Sequence, residues 1–204
     1  KEEKYIITSN EISIRKEASI NGERIAVANF GDIFTIFDRK TATVNTEWVQ
    51  IKLPSGENGW LSTQYAVPFV SKQNMVEDSK LDDLLSLLKR VYGTQFKEAP
   101  SYLGKGEKEL QTTYPNTLNP LQKVAGKTIV KDGNIRFGIL QDKVVDITLQ
   151  DISLSVAKLH ELLGKESMSN NEENNYFYET NSYYIAARSD QTHKEIQSIS
   201  IVKK

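Results

Sequence analysis

Cysteine is absent from the 204 residues, and histidine occurs only twice, as His160 and His193. The first absence excludes a disulfide framework, a thiol nucleophile and a thiolate metal site. The second leaves little material for proton transfer or imidazole ligation. No run approaches the ~18 consecutive apolar residues of a membrane span, so no transmembrane segment is expected within these residues. Charge of one sign is not in excess either: 26 Lys and Arg face 27 Asp and Glu, a formal net charge of −1. That balance argues against a general polyanion binder, and no nucleic-acid partner is expected. What remains favours binding over catalysis. The length suits one large domain or two small ones. The chain opens on Lys1-Glu2-Glu3-Lys4 without methionine, which suits a trimmed chain or a mature protein whose leader has been removed.

Patterning divides the chain in two. Residues 1–70 read as short strands, with alternation in Ile12-Ser13-Ile14-Arg15, Ile33-Phe34-Thr35-Ile36-Phe37 and Trp48-Val49-Gln50-Ile51-Lys52-Leu53. Turn chemistry separates them at Asn21-Gly22, Gly31-Asp32 and Pro54-Ser55-Gly56. This spacing predicts a small β-barrel. The polar stretch 71–80 reads as a linker. From Leu81 the period becomes helical through Leu84, Leu85, Leu88, Val91 and Tyr92, stopped by Gly93.

Residues 81–204 carry a weak internal repeat. Helices are predicted over Glu107 to Tyr114 and Ser155 to Leu163, each followed by a hairpin and a third strand. The first hairpin is predicted to turn at Asp132-Gly133, the second at Thr180-Asn181. Third strands follow over Val144 to Leu149 and Ile196 to Val202. The expected fold is therefore two domains: an all-β SH3-like barrel, then an α+β domain of two α-β-β-β repeats forming one antiparallel sheet with helices on one face.

The N-terminal residues resemble the bacterial SH3 (SH3b) family. Its opening strand is matched by Ile12-Ser13-Ile14-Arg15, its middle strand by Gly31-Asp32-Ile33-Phe34-Thr35-Ile36, and its closing pattern by the segment from Trp48 through Gly59-Trp60 to Tyr65. Lys16-Glu17-Ala18 departs from the usual Ser-Gly-Pro-like turn. The resemblance implies an extracytoplasmic protein, secreted or at the cell surface, with a lipid anchor on the precursor as one form of attachment. It further implies contact with peptidoglycan or a cell-surface protein. A spacer or docking role without a ligand is the alternative. Residues 81–204 resemble a Gram-positive lipoprotein domain through Arg136-Phe137-Gly138, Val145-Asp146-Ile147, Leu162-Leu163-Gly164-Lys165 and Ser198-Ile199-Ser200-Ile201. Their element order is similar to that of β-lactamase-inhibitor proteins and of a small outer-membrane assembly lipoprotein. Neither similarity transfers a function.

Chemistry-bearing motifs are scarce. His160 and His193, the latter in the polar turn from Ser189 to Lys194, lie apart in the sequence and are expected at the surface, without a metal. No Gly-x-Ser-x-Gly elbow occurs, and Gly104-Lys105-Gly106 lacks the Gly-Lys-Ser/Thr ending of a phosphate loop. The acidic pairs Asp82-Asp83, Asp142 with Asp146, and Glu172-Glu173 fall at a helix start, around a strand and in a polar loop. A glycosidase instead holds two carboxyls roughly 5–9.5 Å apart across a cleft. No enzyme activity, catalytic residue or cofactor is expected.

Binding candidates come from the sheet. With turns as predicted, Phe177 faces Tyr184, Tyr178 faces Tyr183 and Ile129 faces Arg136. Val130, Ile135, Phe137, Ile139, Ile185 and Ala187 then pack on the helices. Ile129, Arg136, Leu140, Phe177, Tyr184 and Arg188 occupy an open face whose aromatic and arginine content suits a partner surface. Cross-strand packing, or cover by the barrel, explains the same residues. Trp48, Trp60 and Tyr65 are the barrel's candidates, with a core role favoured for both tryptophans. The expected function is non-catalytic cell-envelope binding: the barrel on wall peptide or glycan, the sheet face on a protein or small ligand. A cell-wall hydrolase accessory or weak glycosidase or peptidase is one alternative, and a protein inhibitor or structural interaction module the other.

Overall fold

The computed structural model describes residues 2–42, 46–69, 75–118, 120–124, 127–170 and 174–204. They fall into two compact units, residues 1–70 with 123–127 and residues 71–122 with 128–204.

The first unit is built from β1 (Lys4–Ile7), β2 (Ile12–Arg15), β3 (Arg24–Ala28), β4 (Ile33–Thr35), β5 (Asp38–Thr41), β6 (Glu47–Lys52), β7 (Asn58–Ser62) and β8 (Ala66–Phe69). They form two antiparallel sheets, β4-β1-β8 and β3-β2-β7-β6-β5. Period-2 alternation sends Ile12 and Ile14 of β2 inward, where they join Trp48, Val49, Ile51 and Leu61 among the buried residues. At the other extreme β5, Asp-Arg-Lys-Thr, is exposed throughout. It is an edge strand, and its charges discourage pairing with another chain.

The second unit opens with α1 (Asp78–Tyr92), α2 (Thr94–Glu98) and α3 (Glu107–Thr113). Along the chain follow β9 (Gln122–Val124) and β10 (Lys127–Asp132), of which Lys123, Val124 and Lys127 count with the first unit, then β11 (Ile135–Leu140), β12 (Lys143–Leu149) and β13 (Leu154–Ser155). Next come α4 (Val156–Leu163), β14 (Met168–Asn170), β15 (Asn175–Glu179), β16 (Tyr183–Ser189) and β17 (Glu195–Lys203). One sheet runs β14-β15-β16-β17-β12-β11-β10-β9, with β13 paired to β17 off this path. The chain is thus predominantly β, an SH3-type unit followed by a sheet-rich unit with few helices.

Helix α1 buries Leu81, Leu84, Leu85 and Leu88, the stripe that its 3.6-residue period presents. Val91, predicted on that stripe, is 71% exposed. The helix ends one residue later, and Gly93, at φ +103, turns the chain away. The stripe joins Leu110 of α3, Leu159 of α4 and the sheet residues Val130, Phe137, Ile147, Ile185, Ile199 and Ile201 in one core. At ~25 cal/mol per Å² of apolar area, such burial is the main force holding helices to sheet.

Three boundaries differ from the sequence expectation. Asp78 to Lys80, read as the end of a linker, form the first turn of α1, because Asp78 accepts hydrogen bonds from Ser182 N (3.3 Å) and Oγ (2.6 Å). Residues 71–74 of that linker lie outside the described residues, as does the Glu172-Glu173 pair. Both hairpins turn one residue later than predicted. In the first, Asp132 pairs with Ile135, leaving Gly133-Asn134 as the loop and setting Ile129 opposite Gly138 rather than Arg136. Gly133, with φ +56, supplies the positive φ at the first loop position. In the second, Thr180 N donates to Tyr183 O (2.9 Å) and Thr180 Oγ1 accepts from Ser182 N (3.2 Å) and Tyr183 N (2.8 Å), which pairs Thr180 with Tyr183 just beyond β15 and makes Asn181-Ser182 the loop. Phe177 therefore opposes Ala186, Tyr178 opposes Ile185 and Glu179 opposes Tyr184.

Candidate functional site

Where β12, β15, β16 and β17 end together, the second unit holds an open basin of about 790 Å³. Every residue lining it is polar. Gln150 and Asp151 follow β12, and Asn174 precedes β15. Arg188 and Ser189 finish β16; Gln197 and Ser198 belong to β17; Asp190, Gln191 and His193 form the loop between those two strands.

Local chemistry explains how these side chains are aimed. Asp190 organises its loop: Oδ1 accepts from Lys194 N (3.0 Å) and Glu195 N (3.3 Å), and Oδ2 from Thr192 Oγ1 (2.8 Å). These bonds, the Thr192 hydroxyl foremost, hold its carboxyl below the ordinary value of 3.8, so the loop keeps a fixed negative charge. His193 N donates to the Asp190 carbonyl (3.1 Å), closing the turn. Between β16 and β17 the register shifts: Arg188 pairs with Ser198 but Ser189 with Ile196. Gln197 is the extra residue of this bulge, a device that re-aims a side chain out of the ladder.

Six non-glycine residues among those described have positive φ, and three of them line this basin: Asp151 (φ 52), Asn174 (φ 58) and His193 (φ 57). Such conformations cost about 1–3 kcal/mol each and gather at functional sites. Among the described residues no side-chain hydrogen bond engages Gln150, Asn174, Gln191 or Gln197. Four carboxamides with spare donors and acceptors thus share one basin with a guanidinium, an imidazole and the Asp151 carboxylate.

Of the predicted site residues only Arg188 lies in this basin. Phe177 is 0% exposed and Ile129 6%, so neither presents the surface expected of it, while Trp48, 3% exposed, is buried as the core role favoured for it requires. Arg136, Leu140, Tyr184 and Trp60 are half-buried, and Tyr65 is exposed. Tyr184 packs under the Lys204 ammonium, 5.1 Å from its ring centroid, while Lys204 also pairs with Glu179 at 2.6 Å. In the register, the Phe177–Tyr184 pair is replaced by Phe177–Ala186. Ser189, Asp190, Gln191 and His193 fall in the stretch whose sequence signals only a polar turn. Other members of the basin lie up to 48 positions apart in sequence, Gln150 to Ser198, and no local motif joins them.

The histidines sit apart. His193 is in the basin, whereas His160 Nε2 lies 2.8 Å from Glu166 Oε2 with its ring edge-on to Tyr176. Among the described residues no group of three or more His, Cys, Asp or Glu is placed to hold a metal ion. No helix among them is long and apolar enough to cross a membrane.

Residues 10–66 match the bacterial SH3 domain family. Two curated relatives share most of this chain's residues along nearly its whole length. One is the "Teichoic acids export ATP-binding protein TagH" of Bacillus anthracis, 65% identical over 202 residues, 98% of the chain. The other, of the same name, is from Bacillus cereus, 64% identical over 204 residues. The chain spans 37% of the length of each. Among solved structures, the "Crystal structure of the C-terminal domain of TagH" is similar over 99% of this chain and 97% of that one, with a TM-score of 0.61 at 12% identity. These relatives overturn the expectation of a secreted or cell-surface protein, since both are named as ATP-binding proteins of an export system. The chain has a bacterial SH3 domain at its N-terminal end and shares the fold of the C-terminal domain of TagH.

Proposed function

We propose that this chain is the non-catalytic accessory region of an ATP-binding component of membrane-associated teichoic acid export machinery. The observation that carries the reading is 64–65% identity along 98% or more of the chain to proteins of that name. The chain itself has no phosphate-loop motif, because Gly104-Lys105-Gly106 lacks the Gly-Lys-Ser/Thr ending. ATP binding then resides in the part of such proteins that this chain does not span. Here the SH3 unit serves docking to an envelope component, and the sheet unit presents the polar basin. The order α3, β10 to β12 and then α4, β15 to β17 supports reading the sheet unit as two α-β-β-β repeats, with the basin at the strand ends of the second.

The test uses the full-length Bacillus anthracis relative. Removing the segment that matches this chain should leave ATP hydrolysis intact and sharply reduce the teichoic acid reaching the wall, measured as wall phosphate. Undiminished wall phosphate, or loss of hydrolysis with the segment, would count against an accessory role.

A further inference from the structure

We propose that Asn21-Gly22, in the loop between β2 and β3, is an intramolecular modification site at which the asparagine amide becomes a carboxylate through a cyclic imide, while the second Asn-Gly pair, Asn58-Gly59, is held unreactive by the fold. The inference owes nothing to the export reading and concerns the first unit alone.

Asn-Gly occurs at these two places only. The reaction open to such a pair begins when the glycine nitrogen, stripped of its proton by hydroxide, attacks the side-chain carbonyl carbon of the asparagine. A new C–N bond closes the imide ring, and ammonia leaves. Water then opens the ring, at the side-chain carbonyl to give aspartate or at the backbone carbonyl to give isoaspartate. One water enters and one ammonia departs, so solvent is the only co-reactant. Glycine favours the attack because no side chain crowds its nitrogen, an advantage that both pairs share.

Their surroundings differ. Asn58 and Gly59 open β7, which has β6 on one side and β2 on the other. Gly59 pairs with Ile51 of β6, and Trp60 with both Gln50 and Arg15. Attack requires the Asn58–Gly59 peptide to rotate out of the extended ladder. Gly59 is buried, and Ile14 Cγ2 lies 2.4 Å from where a Cβ would stand on it, so rotation there waits on opening of the sheet. Asn21 is exposed and belongs to no strand. Gly22 N donates to Ser19 O (3.0 Å) and Asn21 N to Ser19 Oγ (3.2 Å), two bonds within one turn whose loss leaves the strand pairings intact.

Conversion alters the loop. The new carboxylate joins Glu17 and Glu23, placing three charges of one sign in a single connection. Gly22 O accepts from Arg15 Nη1 (2.8 Å), the bond that ties this loop to β2. Isoaspartate lengthens the backbone directly before Gly22, where a Cβ would already meet Glu17 O at 2.9 Å, so the insertion displaces Gly22 and loosens that tie.

The whole 204-residue chain, held in mildly alkaline buffer and sampled by peptide mapping with mass spectrometry, tests the assignment. In the native chain Asn21 should convert at least about tenfold faster than Asn58. In guanidinium chloride strong enough to unfold the chain, the two should convert within about twofold of each other. Tryptophan fluorescence verifies the folded and unfolded states. Asn21→Gln, whose longer side chain closes its ring far more slowly, should abolish the early gain of negative charge seen on anion exchange and leave conversion at Asn58 unchanged. Equal native rates at the two sites, an Asn21 that persists as the amide, or a preference for Asn21 that survives unfolding overturns the proposal.

Discussion

At Gly59 a Cβ would stand 2.4 Å from Ile14 Cγ2 and 3.4 Å from Ile25 Cδ1. Ile14 is fully buried, so it has nowhere to move. The glycine of the Gly59-Trp60 pair, legible in the sequence only as part of a family resemblance, thus has a steric cause: β7 must pass close to β2. Gly56 is a different case, since at φ +87 nothing lies within 4 Å and its constraint is conformational alone. Gly59→Ala should destabilise the first unit by about 1–3 kcal/mol through overpacking. Urea denaturation followed by tryptophan fluorescence reads this unit, because Trp48 and Trp60 are the chain's two tryptophans and both lie in it. A midpoint equal to that of the parent would remove the steric explanation. Phe177 teaches the opposite lesson about single residues. Alternation places it correctly on the face away from the helices, yet a period of two cannot say whether that face is open, and the side chain is wholly enclosed.

Among the elements, what could be read in advance was type and face; what could not was the register. The α1 stripe and the apolar face of both hairpins follow from local periodicity, whereas Ser155, predicted as the first residue of a helix, is its cap and accepts from Lys158 N (3.0 Å). The turn positions do not, because non-local bonds decide them. Asp78, 104 residues earlier in the chain, holds the Asn181-Ser182 loop through two hydrogen bonds to Ser182. The Ser182 hydroxyl is also the largest cause of the lowered Asp78 pKa, followed by Thr180. The folded value lies below the unfolded value of 3.8. The contribution to stability is therefore complete above that value and disappears as pH falls through the lower folded one. Asp78→Asn should cost about 1 kcal/mol or less at neutral pH, since the carboxylate is partly exposed. It should also make the second unit's stability less steep in pH below about 4. Denaturation curves at pH 7 and pH 3 measure both; a parent-to-variant difference that is the same at the two pH values would show that Asp78 plays no charge-linked part.

For the molecule as a whole, the balance of 26 cationic against 27 anionic side chains makes bulk attraction to a polyanion weak. Recognition must then be local, and the basin is a place where carboxamides, a guanidinium and an imidazole come together. It escaped the sequence because strand ends assemble it: Gln150, Asn174 and Gln197 are ordinary polar residues until a shared sheet edge brings them together. Identity of 65% across 98% of the chain makes an exchange between whole proteins a fair trial. A chimaera in which these 204 residues replace the matching part of the Bacillus anthracis relative should restore wall phosphate to a strain lacking that protein. The same chimaera carrying Gln191→Ala and Gln197→Ala should hydrolyse ATP at the parental rate yet restore less wall phosphate. The exchange separates fold from recognition, since both chimaeras keep the core and only one keeps the amides. Equal rescue by the two would mean that the accessory region contributes through its scaffold or its SH3 unit, and that the basin is dispensable for export.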